Sequence, residues 1–201
     1  QSIYHAAMNG EKVIYISLEE EVDKLKQHMM NNFNWDFEKL EREGKAAIMK
    51  YDPLEIARSV EAVIVSAKEK LEIDFEEFNL PFEPDRIVID SLSALSIAFG
   101  STENYRRYIR YLFEKLESYN SINIVLAETE QNPKTYSRAG IEEFLADGVI
   151  VLYNIQSNNN RENAIEILKL RTSKHVKKIV PFEIGADGLE IYPDQEIFRN
   201  V

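Results

Sequence analysis

Arg86-Ile-Val-Ile-Asp90-Ser91 is the stretch on which the fold turns. A short apolar run bounded by charge reads as a strand buried on both faces, the habit of parallel sheets covered by helices. Its carboxylate stands at the C-terminal end, the side on which open α/β sheets bind ligands. An acid there is equally an ordinary turn former or helix N-cap, so Asp90 by itself does not decide between chemistry and structure.

Val13-Ile-Tyr-Ile-Ser17 is a run of the same kind, and Ala46–Met49 and Ile122–Ala127 are two more. Helical spacing lies between them. Gln1–Met8 is closed by Asn9-Gly10, Asp36–Glu43 is closed by Gly44, and Glu21–Phe33 and Thr102–Tyr119 have apolar residues at three- and four-residue steps. Asp52-Pro53 starts a helix running through Ile56, Val60, Val63, Ala67 and Leu71, with Phe75–Pro84 as a connection. Alternating strand and helix imply a mostly parallel sheet with helices on both faces. After Gly148 the pattern changes. Val149–Tyr153 and Ala164–Arg171 flank the turn-rich Ser157–Arg161, and Ile179–Ile184 and Leu189–Tyr192 flank Ala186-Asp187-Gly188, so the α/β fold is expected to end in antiparallel hairpins.

The 201 residues fit one domain, 1–201. A net charge of −11 opposes binding of nucleic acid or anionic lipid over the whole surface. Only Arg106-Arg107 with Arg110, read as a solvated helix face, and Lys169 to Lys178 gather positive charge. No cysteine is present, which excludes disulfides and thiolate zinc chemistry. No apolar run approaches the roughly 20 residues of a membrane span, so no membrane partner and a cytoplasmic location are expected. The chain opens inside a helix, and residue 1 is expected to lie within a longer product.

A second acidic strand end accompanies Asp90. In Tyr15-Ile-Ser-Leu-Glu19-Glu20 two carboxylates follow a buried run. Like charges crowded there suit a cation-binding or water-orienting role. A solvated first helical turn, where Glu complements the macrodipole, accounts for them equally well. Glu128 and Glu130 follow the strand that starts at Ile122.

Taken in order, Gly10–Glu20, Arg86–Leu95, Gly140–Gly148 and Ile167-Leu-Lys-Leu-Arg-Thr-Ser-Lys-His175 resemble the successive blocks of KaiC-type ATPases of the RecA superfamily. The resemblance covers essentially the whole chain. It implies a RecA-like sheet, ATP and Mg²⁺ as cofactors, and a homo-oligomeric ring or filament, a hexamer by analogy. Glu19 and Glu20 match the family's catalytic glutamates, without indicating which one acts on the attacking water. Asp90 matches the Walker B acid, which positions Mg²⁺ through the ion's water shell. Lys169, Arg171 and His175 match residues that reach the phosphates of nucleotide on the neighbouring subunit. Lys169 and Arg171, two apart on a strand, are expected to point the same way. Glu128 and Glu130 fall where RecA-like proteins sense nucleotide state.

Three departures qualify the match. The phosphate-binding G-x-x-x-x-G-K-[ST] loop is absent, since Gly44-Lys45 is followed by Ala46, and it is expected immediately upstream of residue 1 together with its strand. The 201 residues alone are therefore expected to bind ATP poorly. Gly140-Ile-Glu-Glu-Phe144 holds acids and Phe where the autokinase domain of clock proteins has phosphorylated Ser/Thr. Ala186 stands where an acidic nucleotide contact is expected, with Asp187 one residue later. The rival reading is a DNA-binding module of the RadA-paralogue kind, but the segment from Glu130 to Arg138 offers only Lys134 and Arg138 to a phosphate backbone. The biological process is not legible, because fold does not choose function.

Overall fold

A computed structural model describes residues 1–66, 78–129, 136 and 139–197. They form two compact units, Gln1–Glu128 and Thr129–Val201. Ala67, Leu71, the start of the Phe75–Pro84 connection, Glu130, Lys134 and Arg138 lie outside the described residues.

In the first unit, β1 (Val13–Ser17), β2 (Ala46–Lys50), β3 (Arg86–Asp90) and β4 (Ile122–Val125) make a parallel sheet in the order β2-β1-β3-β4. The register sets Tyr15 beside Val88 and Ser17 beside Asp90, so the acidic ends of β1 and β3 emerge side by side. Side chains alternate across the sheet. One face carries Val13, Ala46, Ile48 and Val88, packed with Ile3, Ala6 and Ala7 of α1 (Ser2–Met8) and with Phe37 and Leu40 of α3 (Phe37–Arg42). Trp35 completes that layer, stacked between Tyr4 and Phe33 at ring separations of 5.5 and 4.5 Å. The other face carries Ile14, Ile16, Ile87 and Ile89, which are 0–1% exposed. Burying each is worth about 1.5–3 kcal/mol, so this face fixes the register on which the acidic ends depend.

Chain punctuation follows its usual chemistry. Asp36 caps α3 by accepting from Lys39 N at 2.9 Å, and Gly44 leaves that helix at φ +67, a conformation costly for residues with a Cβ. The helix expected from Glu21 is α2 (Val22–Phe33), and the one starting at Pro53 is α4 (Pro53–Ser66). A short helix not foreseen in the sequence, α5 (Leu92–Ala98), follows β3 directly and contributes the buried Leu92 and Leu95. It packs with α4 and with α6 (Thr102–Ser118), whose Tyr105, Ile109, Leu112 and Leu116 form its buried stripe. Arg86 donates to both carboxylate oxygens of Glu11, at 2.6 and 2.9 Å, tying the turn before β1 to the start of β3.

The second unit is an antiparallel sheet of β5 (Gly148–Ser157), β6 (Asn160–Leu170), β7 (Val180–Gly185) and β8 (Gly188–Ile191), in that order. Asn158 takes φ +51 in the first hairpin turn, and Ala186-Asp187 make the turn between β7 and β8. A single helical turn, α7 (Glu142–Leu145), precedes β5 and was also not foreseen. No helix among the described residues is long and apolar enough to cross a membrane.

Candidate functional site

The ends of β1 and β3 are laced together by two side-chain hydrogen bonds running in opposite directions. Tyr15 Oη of β1 donates to Asp90 Oδ2 of β3. Ser91 Oγ, one residue past β3, donates to Glu19 Oε1 at 2.6 Å. The backbone closes the same corner, with Leu18 N donating to Asp90 O at 2.7 Å. Both donors are well sheltered, so the two carboxylates are oriented by groups that have few other options. Burial first, and the bond to Asp90 second, push the Tyr15 phenol far above its usual pKa, so it stays a donor.

Glu19 and Glu20 are adjacent in sequence but face different surroundings. Glu20 N donates to Ser17 Oγ at 3.0 Å, and that hydroxyl donates to Glu20 O at 2.7 Å, which pins the backbone of the pair. The Glu20 carboxylate looks toward His28 of α2, 3.6 Å from Nδ1. Glu19 alone of the two joins the Asp90 corner. Glu128 is exposed beyond β4, its N–H donating to Ser93 Oγ at 2.7 Å, while Glu130 lies outside the described residues.

In the second unit a bulge in the β5–β6 ladder, where Val149 pairs with Lys169 and Ile150 with Ile167, re-aims the end of β6. Lys169 Nζ donates to three backbone carbonyls at the end of α7, Glu143 O at 3.0 Å, Phe144 O at 3.3 Å and Ala146 O at 2.6 Å. Arg171 donates to Phe144 O at 2.9 Å and Asp147 Oδ1 at 3.0 Å. The strand ends at Leu170, so Arg171 stands just beyond it, yet both cations converge on one helical turn. Cations at a helix C-terminus also complement the dipole. Lys169 helps line a cleft of about 510 Å³ with Tyr136, Gly140, Glu143, Phe144, Val149 and Leu168. Both ring nitrogens of His175 are buried without a hydrogen-bond partner among the described residues, the signature of a polar group awaiting one.

The donor set suits a metal that arrives with a nucleotide better than one held by protein alone. Among the described residues no three His, Asp or Glu side chains gather around a common position. Mg²⁺ commonly keeps several waters and takes one or two carboxylates plus phosphate oxygens. Asp90 fits that role, with Oδ2 held by Tyr15 and Oδ1 accepting no bond among the described residues. Sequence reasoning had found the acids but not the hydroxyls that orient them. The signals were present: Tyr15 shares the β1 face with Ser17, and Ser91 follows Asp90 directly.

Comparison with known proteins gives one consistent answer. The family described as "ATPase: KaiC" matches residues 1–196 in a single copy. A circadian clock oscillator protein KaiC from Acaryochloris marina is 26% identical over 196 residues, covering 96% of this chain and 37% of that protein. Another, from Parathermosynechococcus lividus, is 30% identical over 166 residues, covering 81% of this chain and 30% of that protein. The chain thus spans about a third of the length of these clock proteins. Among solved structures, a KaiC-like protein from Pyrococcus horikoshii OT3 is 32% identical, with a TM-score of 0.73, over 95% of this chain and 80% of that one.

Proposed function

Since the chain belongs to the KaiC ATPase family of the RecA superfamily, we propose that it supplies the metal-positioning and water-activating side of an ATP-hydrolysing site completed at an interface with a second copy. The observation that carries this reading is the Ser91–Glu19 bond, which holds a general-base carboxylate against the strand end bearing Asp90. Asp90 would hold, through water, the Mg²⁺ that accompanies ATP, and that ion would supply positive charge against the phosphates. Glu19 orients and deprotonates the attacking water, while Glu20, turned toward His28, contributes mainly charge.

Lys169, Arg171 and His175 form the contribution made to the neighbouring copy's nucleotide, with fixed cations meeting phosphate charge. The orphaned His175 ring and the convergence of the two cations support this. The copies assemble as a ring or filament with nucleotide between them. The 201 residues by themselves hold no glycine-rich phosphate cradle and are expected to turn over little ATP.

The test uses the full chain. Glu19→Gln should lower kcat by about 100-fold or more while sparing ATP binding, in line with the usual worth of a general base. Glu20→Gln should cost clearly less. Equal turnover in Glu19→Gln and wild type, or a folded full chain that binds no ATP, would sink the proposal.

A further inference from the structure

Tyr15 opens the stretch that ends in the glutamates, four residues ahead of Glu19, yet its hydroxyl ends on the carboxylate of the other strand end, Asp90. The parallel register explains how. Tyr15 stands opposite Val88, so Asp90 is its diagonal neighbour on the same face of the sheet, two residues further along β3. A phenol ring spans that diagonal, and its oxygen reaches Oδ2. The ring packs against the cluster built from Val13, Val88, Ala46 and Ile48, which fixes its position from below. An aliphatic residue would satisfy the packing there. The hydroxyl adds a donor for the carboxylate.

We propose that Tyr15 is a positioning residue for the metal step: by donating to Asp90 Oδ2 it fixes the carboxylate rotamer and presents Oδ1 to the water shell of nucleotide-bound Mg²⁺. The inference rests on the reading of Asp90 given above. A carboxylate at a strand end can swing about χ2, and an oxygen that must meet a metal-bound water is useful in one orientation only. Occupying Oδ2 with a neutral donor leaves the negative charge in place, whereas a Lys or Arg partner would cancel the charge the cation needs. Partners of this outer kind typically contribute about 10–100-fold in metal affinity when they orient direct ligands. Asp90 acts through water rather than as a direct ligand, so the effect is expected at or below the bottom of that range.

The experiment titrates Mg²⁺ against binding of a fluorescent ADP analogue to the full chain, in wild type, Tyr15→Phe and Asp90→Asn, with a parallel titration in EDTA. Binding in EDTA reports whether the nucleotide site is folded. Tyr15→Phe should raise the Mg²⁺ midpoint about 3–10-fold, with metal-free ADP affinity unchanged. Mn²⁺, followed by its electron paramagnetic resonance signal, should show the same weakening without any turnover. An unchanged or lower midpoint in Tyr15→Phe, while Asp90→Asn raises it strongly, overturns the role of Tyr15 and leaves Asp90 standing. A loss of metal-free affinity equal to the loss with Mg²⁺ shows that Tyr15 merely holds the fold, and also overturns it. If Asp90→Asn itself leaves the Mg²⁺ midpoint unmoved, the reading of Asp90 fails instead.

Discussion

Replacing Lys169 with Met keeps the aliphatic stem and removes the ammonium that three α7 carbonyls share. At the ~1.5–3 kcal/mol usual for a hydrogen bond to a charged group, three contacts would amount to roughly 5–9 kcal/mol. That sum is too large for this site. The contact to Phe144 O is long at 3.3 Å, and Phe144 itself is 68% exposed, so water reaches the freed carbonyls. The lysine also gives up side-chain freedom to stay in place. A loss of about 1–2 kcal/mol is the sounder figure. It should be local, because Lys169 holds one helical turn rather than a core. Amide hydrogen exchange is the right assay, since Trp35, the only tryptophan, belongs to the first unit. The amides of Phe144, Leu145 and Ala146, which bond back to Ile141 and Glu142, should exchange about 5–30-fold faster in Lys169→Met. Lys169→Arg should recover part of the protection, because a planar fork cannot aim three donors at one turn. Unchanged exchange in Lys169→Met would refute the carbonyl cage.

Three further outcomes follow from the fold. The bond from Arg86 holds the Glu11 carboxyl below its usual pKa, so its stabilisation is complete above pH ~4.5 and fades as pH falls through the lowered value. Acid unfolding of Glu11→Gln should therefore lack part of the wild-type pH slope below ~4.5, and identical slopes would count against the pair. Ile89→Ala, at a fully buried position beside Asp90, should cost about 2–5 kcal/mol, read as a lower urea midpoint at constant m-value. Asp36→Ala should cost about 1 kcal/mol through loss of the α3 cap, and no shift in thermal midpoint would mean that Asp36 does not cap.

Much of this was legible because buried parallel strands leave continuous apolar runs. The expected β1 and β3 match the observed Val13–Ser17 and Arg86–Asp90, and the hairpin turns fall at Asn158 and at Ala186-Asp187. The acids were legible because they interrupt those runs. Two helices were not. α5 is only seven residues long with Ser93 and Ser96 among its apolar positions, and α7 is one turn, so neither is long enough to show a clear period. The different surroundings of Glu19 and Glu20 were also invisible, because neighbouring residues share a sequence context while χ angles and partners such as Ser91 and His28 come only with the fold. Tyr15 was hidden for a related reason. In a strand it reads as one more apolar position, and its hydroxyl gains meaning only from the register with β3.

If each site takes its acids from one copy and its cations from the next, two crippled variants of the full chain should complement each other when mixed. Glu19→Gln removes the base and keeps the cations, while Arg171→Ala does the reverse. In head-to-tail assemblies of an equal mixture, about a quarter of the interfaces pair intact acids with an intact clamp. ATP hydrolysis by the mixture should rise to roughly that fraction of the wild-type rate, although each variant alone is nearly inactive. A mixture no more active than the average of its two components would contradict it.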